Sequence, residues 1–187
     1  MNIITNNCLG GHIYKDVLNE EYKNPFIWCF LDPYFDFIQN YQNIDFKNYR
    51  IEKIDNKLDK FKIIIEDKYE LKFVHYSFDA NCDIPIINGR EVRYNKIWEY
   101  VVEKYEERLK RMDKNDEVIF MFYGNELSEN EFNILKEKSK TNRVFVFNNK
   151  FISTNKNLKC FSINEKWCDP QYVVNEYKYI IKEELIK

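Results

Sequence analysis

The stretch Thr5-Asn6-Asn7-Cys8-Leu9-Gly10-Gly11-His12 gathers the chain's most reactive side-chain types within a few residues. A cysteine followed closely by two glycines has a specific chemical use. Glycines let the backbone approach a ligand and leave N–H groups open at the start of a helix. Those dipoles favour the thiolate, the nucleophilic form of cysteine. The Gly10 and Gly11 N–H groups could also hold the oxyanion of an acyl-transfer intermediate. A cysteine nucleophile needs a base, and the chain has two histidines, His12 and His75. His75 lies in the apolar run Phe73-Val74-His75-Tyr76 and is the preferred base, with Asp79 or Asn125 to orient it. His12, Asn6, Asn7, Tyr123 and Asn125 are candidate ligand contacts. A plainer reading stands beside this one. Cysteine often only fills core space, histidine in an apolar strand is commonly packed there, and asparagines beside glycines commonly turn the chain.

These residues must be positioned by elements that the periodicity of the chain predicts. Ile3-Ile4 reads as a first strand and His12 to Leu18 as the start of a helix. Phe26 to Leu31 reads as a buried strand, and Asp32-Pro33 as a helix start, a cap residue with proline behind it. Tyr49 to Ile54, Phe61 to Ile65 and Leu71 to Tyr76 are three further strands, with polar turns at Lys57 to Lys60 and Glu66 to Lys68. A long irregular segment, Ser77 to Arg93, follows. Trp98, Val101, Val102, Tyr105, Leu109 and Met112 recur at helical spacing, with Arg108 and Arg111 assigned to the charged, solvated face. Val118 to Phe122 and Val144 to Phe147 are continuous apolar runs, as expected of strands covered on both faces. Ser128-Glu129-Asn130-Glu131 is a capping box that starts a helix running to about Lys138. Leu158 to Ile163 is one more strand, and Asp169-Pro170 opens a final helix that buries Val173, Val174, Tyr177, Ile180, Ile181 and Leu185.

Strands alternating with helices predict a single α/β domain over residues 1–187, with a mainly parallel sheet flanked by helices and an antiparallel hairpin or meander at 49–76. In open α/β sheets, ligands bind beyond the carboxyl ends of the strands. Were the strands parallel neighbours, Asn6-Asn7-Cys8, His75-Tyr76-Ser77, Tyr123-Gly124-Asn125 and Asn148-Asn149 would share one rim.

Composition narrows the classes of function. Net charge is −2, from 29 basic and 31 acidic residues interleaved along the chain, so the basic stripe of a nucleic-acid binder is missing. No apolar run is long enough for a membrane span and no signal peptide is visible. Five cysteines, Cys8, Cys29, Cys82, Cys160 and Cys168, are odd in number and irregularly spaced, which favours reduced thiols in a cytoplasm. All but Cys8 read as structural. A zinc site from Cys8, His12, His75 and Cys82 is conceivable, but close ligand spacing is lacking, so no metal and no cofactor are expected.

Thr5-Asn6-Asn7-Cys8-Leu9-Gly10-Gly11-His12-Ile13-Tyr14 resembles the S-N-N-C-W-G-G-x-I-Y opening of an uncharacterised bacterial domain family linked to exopolysaccharide biosynthesis. Asn24-Pro25-Phe26, Asp36-Phe37-Ile38, Phe73-Val74-His75-Tyr76 and the helix W-E-Y-V-V-E-K-Y-E-E-R-L-K-R-M follow in the same order, over residues 2–148. The family's tryptophan after the cysteine is Leu9 here. The layout is also similar to a bacterial family of papain-like cysteine peptidases, whose P-F-D-W segment has Ile27 in place of its aspartate here. Both resemblances imply that Cys8 and His75 act as a pair. The expected function is cysteine-dependent acyl transfer or hydrolysis in surface-polysaccharide biosynthesis, on a small-molecule or saccharide substrate. The alternative is a non-catalytic module that binds a sugar or nucleotide-sugar at the same rim.

Overall fold

A computed structural model describes residues 1–55, 60–73, 86–87, 90–91, 97–153, 155–163 and 170–186. Its elements, in chain order, begin with β1 (Asn2–Thr5) and α1 (Leu9–His12), which runs on as a π-helical segment, Ile13–Leu18. They continue with β2 (Phe30–Asp32), α2 (Tyr34–Asn40), β3 (Tyr49–Asp55), β4 (Lys60–Ile65), β5 (Tyr69–Phe73), β6 (Ile86–Ile87) and β7 (Arg90–Glu91). The second half holds α3 (Ile97–Arg111), β8 (Val118–Tyr123), α4 (Glu129–Lys138), β9 (Arg143–Phe147), β10 (Leu158–Phe161) and α5 (Pro170–Ile186).

Strands β1-β8-β9-β10 form a parallel sheet in that order, and β2-β5-β4-β3 form an antiparallel one. The apolar run of β8 has the physical cause expected for it, since all six residues are buried. Val118, Phe120 and Phe122 face one core with Ile4, Val144, Val146, helices α2 and α4, and the antiparallel sheet. Ile119, Met121 and Tyr123 face the other, with Ile3, Phe145, Phe147, the first helix and α5. An alternation of period two is hidden inside a run that is apolar on both faces. The antiparallel sheet instead shows its alternation openly. Tyr69, Leu71 and Phe73 of β5 point inward, while Glu70 and Lys72 point out and pair with Lys62 at 2.7 Å and Asp32 at 2.7 Å. Its β4–β5 turn places Glu66 and Asp67 at φ 52° and 53°, the two left-handed centres of a tight hairpin. The two sheets meet where the Leu31 N–H donates to the Asn6 carbonyl at 3.2 Å.

Helix α4 begins at its predicted capping box. Ser128 Oγ accepts from the Glu131 N–H, and the Glu131 carboxylate accepts from the Ser128 N–H at 2.8 Å. Three expectations shift. The strand predicted at Phe26 to Leu31 is confined to Phe30–Asp32. Before it the chain bends: Asn24 Nδ2 donates to the Ile3 carbonyl, Asn24 Oδ1 accepts from Phe26 N–H, and Trp28 takes φ 60°, which breaks extended pairing. Asp32 is not the cap of α2, because it pairs with Glu70 in β2, and Pro33 takes the cap position with its carbonyl accepting from Phe37 N–H. On α5, Ile180 is exposed, since Val173, Val174, Ile181 and Leu185 already fill the inward stripe.

Candidate functional site

Cys8 is the N-cap residue of α1, directly beyond the carboxyl end of β1, and only 4% of it is exposed. The polar residues around it are committed to the backbone. Asn6 brackets one residue of β8, its Nδ2 donating to the Tyr123 carbonyl at 3.0 Å and its Oδ1 accepting from the Tyr123 N–H at 2.9 Å. This side chain continues the β1–β8 ladder for one more rung. Asn7 Oδ1 accepts from Leu9 N–H at 3.0 Å, closing an Asx turn. Thr5 Oγ1 donates to the Asn7 carbonyl and accepts from Gly10 N–H at 3.3 Å, and Gly11 N–H donates to the Cys8 carbonyl at 3.1 Å. The expectation for Gly10 and Gly11 is thereby corrected: both N–H groups are already hydrogen-bonded within the loop. Asn6 and Asn7 likewise shape the chain, so the oxygens expected to meet a ligand hold backbone amides.

Gly11 has another cause. A Cβ on Gly11 would lie 2.3 Å from Trp28 Cε2, so only glycine lets the indole lie against this turn. The left-handed backbone of Trp28 delivers the ring there, at a cost of about 1–3 kcal/mol for a residue of this size. His12 meets the indole edge-on at 4.8 Å, and Tyr22 does so at 6.3 Å. His12 Nδ1 is 3.0 Å from Asp16 Oδ2, one turn further along, so its orientation is fixed. Trp28, Tyr22 and His12 are all half-buried. Trp28 is partly buried against the core and lies against the Gly11 turn.

Arg108 is the residue that sequence reasoning placed wrongly. It was assigned with Arg111 to a solvated face, yet it is 6% exposed, whereas Arg111 is exposed and paired with Glu21 at 3.1 Å. Its guanidinium lies over the Tyr22 ring, 5.0 Å from the centroid. The signal was present in the spacing, because 108 falls on the helical stripe of the buried Val101 and Tyr105. Cys29, fully buried, reports what surrounds this cation. Burial pushes its thiol well above the ordinary range, the charge of Cys8 adds to the rise, and Arg108 opposes it. Cys8 and Arg108 thus each lie within electrostatic reach of Cys29. Cys29 is held as a neutral, structural thiol, as expected. Burial also raises the Cys160 thiol, against the opposing charge of Lys136.

At the other strand ends, Tyr123 is buried at the carboxyl end of β8 and Asn125 is exposed just beyond it. Asn148 Oδ1 accepts from the N–H groups of Lys150 and Phe151, and Asn149 Oδ1 from that of Ile163. The parallel sheet therefore does bring Asn6 to Cys8, Tyr123 to Asn125 and Asn148-Asn149 to one edge. Strand β5 belongs instead to the antiparallel sheet, between β2 and β4. His75 and Asp79, with Cys82 and Cys168, lie outside the described residues. Among the described residues, no group of three or more His, Cys, Asp or Glu side chains could hold a metal, and no helix is long and apolar enough to cross a membrane.

These features define an α/β protein with a cysteine at the carboxyl edge of its parallel sheet and a buried arginine nearby. Residues 1–85 are similar to a family described only as a domain of unknown function (DUF1919). That stretch includes Cys8, Trp28 and Cys29; α3 with Arg108, and β8 to β10, lie beyond it. No curated protein and no solved structure matches the chain.

Proposed function

We propose that the protein is a cysteine-dependent acyl-transfer or hydrolytic enzyme acting on a saccharide of surface-polysaccharide biosynthesis. Cys8 is its nucleophile and His75 its base, with Asp79 or Asn125 orienting the base. The Cys8 thiolate attacks an acyl carbonyl, forming the C–S bond of a thioester as the C–O bond to the leaving group breaks. The protonated base gives its proton to that leaving oxygen. Water or an acceptor hydroxyl then attacks the thioester, loses its proton to the base, and releases the thiolate. The observation that carries the reading is position: Cys8 caps the first helix at the sheet edge where α/β ligands bind, amid neighbours spent on backbone hydrogen bonds. The saccharide assignment and the role of His75 rest on the family resemblance.

A second reading, a non-catalytic saccharide-binding module, is favoured by one observation. The Gly10 and Gly11 N–H groups are engaged, so they offer no preformed oxyanion hole. Iodoacetamide labelling across pH, read by mass spectrometry, separates the two. The enzyme reading expects Cys8 to alkylate with an apparent pKa well below the unperturbed ~8.5. A Cys8 that reacts no faster than in the denatured chain leaves only the binding module. His75→Gln should abolish turnover, and retained turnover would remove His75 as base.

A further inference from the structure

Among the described residues, three buried polar side-chain atoms lack a hydrogen-bond partner: Asn2 Oδ1, Asn148 Nδ2 and Arg108 Nε. Only the last belongs to a charged group. A guanidinium keeps its charge on burial, and an anion is the partner that offsets its desolvation most fully. Three carboxylates on or near α3 are engaged elsewhere. Glu106 accepts from Tyr49 Oη at 2.6 Å, Glu107 holds Lys104 at 2.7 Å, and Glu21 holds Arg111 at 3.1 Å. No carboxylate among the described residues pairs with Arg108, and Cys29 beside it is held neutral. The Tyr22 face, 5.0 Å from the guanidinium carbon, offsets part of the cost but supplies no net charge.

We propose that Arg108 is the receptor for an oxyanion carried by the ligand, a carboxylate or phosphate on a saccharide whose ring meets Trp28 and Tyr22. The planar fork of arginine suits either group, which it can hold through two parallel N–H···O bonds. A transient oxyanion would not suffice, because the cation is buried in the resting protein and needs a full negative charge in the bound state. The inference rests on the proposed function for its saccharide and narrows that substrate to an acidic one. Arg108 orients the anion, while Cys8, on the neighbouring turn, meets the rest of the molecule.

Thermal melting of the full chain in inorganic phosphate, in acetate, and in chloride at equal ionic strength tests this, using wild type, Arg108→Met, Arg108→Lys and Cys8→Ala. Phosphate or acetate should raise the wild-type melting temperature by several degrees over chloride. Arg108→Met should lose that increment and Arg108→Lys keep part of it. Non-specific salt effects cancel in the comparison, and the more effective anion identifies phosphate or carboxylate. Without added anion, Arg108→Met should melt no lower than wild type, since a buried charge with no partner is removed. An equal increment in Arg108→Met, no increment in wild type, or a large fall of the anion-free melting point that Arg108→Lys restores would each overturn the proposal. The last result would mark a structural ion pair. Cys8→Ala should retain the increment, so an inert Cys8 would remove the nucleophile and leave the anion site standing.

Discussion

Replacing Gly11 with alanine tests whether that glycine exists for a ring or for catalysis. The added Cβ would stand 2.3, 2.5 and 2.8 Å from Trp28 Cε2, Cδ2 and Cζ2. Carbon atoms prefer about 3.5–4.0 Å, so the indole must retreat by roughly 1.2 Å. It cannot do so freely, because its backbone is held at φ 60° and its edges are set against His12 and Tyr22. Overpacking of this kind costs about 1–3 kcal/mol, against a gain of up to about 1 kcal/mol for alanine over glycine in a helix. Gly11→Ala should therefore destabilise by about 1–2 kcal/mol, a fall in Tm of roughly 2–8 °C for a chain of this size. In a Trp28→Ala background the obstacle is gone and the same substitution should become neutral or stabilising, by up to about 1 kcal/mol. Urea unfolding of the four proteins gives the coupling, expected at about 1–3 kcal/mol. If Gly11→Ala costs the same with and without the indole, to within about 0.5 kcal/mol, the packing account of this glycine is wrong.

Asn6→Asp should destabilise the fold at neutral pH by about 1–3 kcal/mol, because a carboxylate oxygen would replace the Nδ2 donor that faces the Tyr123 carbonyl. The introduced carboxyl is favoured neutral in the fold, so its folded pKa is raised; the stability is present at low pH and lost as pH rises through that value. Urea midpoints from pH 3.5 to 7 should show the deficit shrinking as the medium becomes acid. Burial pushes the Tyr14 phenol up to about 12, opposed by its hydrogen bonds from the Ile3 N–H and Asn24. Its contribution is complete below about pH 10 and should fade between pH 10 and 12 by about 3 kcal/mol. Alkaline unfolding of Tyr14→Phe, which has no such proton to lose, should lack that component.

How much was legible depends on the range over which each cause acts. The capping box at Ser128 and Glu131 was readable because donor and acceptor lie three residues apart, and β8 because six apolar residues need two covered faces. The tight β4–β5 turn was readable from its polarity, although the left-handed φ of Glu66 was not. Gly11 was misread because its reason, the Trp28 ring, lies seventeen residues away and arrives through a strained backbone that periodicity cannot reveal. Arg108 was misread because its charge was allowed to outweigh its position, although Val101 and Tyr105 place it on the inward stripe.

The asparagines carry the wider argument. Asn6, Asn7, Asn148 and Asn149 all stand at strand ends, where a polar side chain reads as a ligand contact, and each instead accepts from a backbone N–H. Strand ends leave peptide groups that the ladder no longer satisfies, and a short amide is the nearest group that can do so. Polar type at a rim therefore does not discriminate ligand contacts from loop architecture; what discriminates is a group the protein leaves unsatisfied. Asn148 Nδ2 stays unsatisfied at the rim, but Arg108 is the one such group that carries a charge, and it moves the centre of the candidate site towards the first helix and α3. There the buried Arg108 Nε has no partner, and Tyr22 and Trp28 lead from it to the turn that carries Cys8.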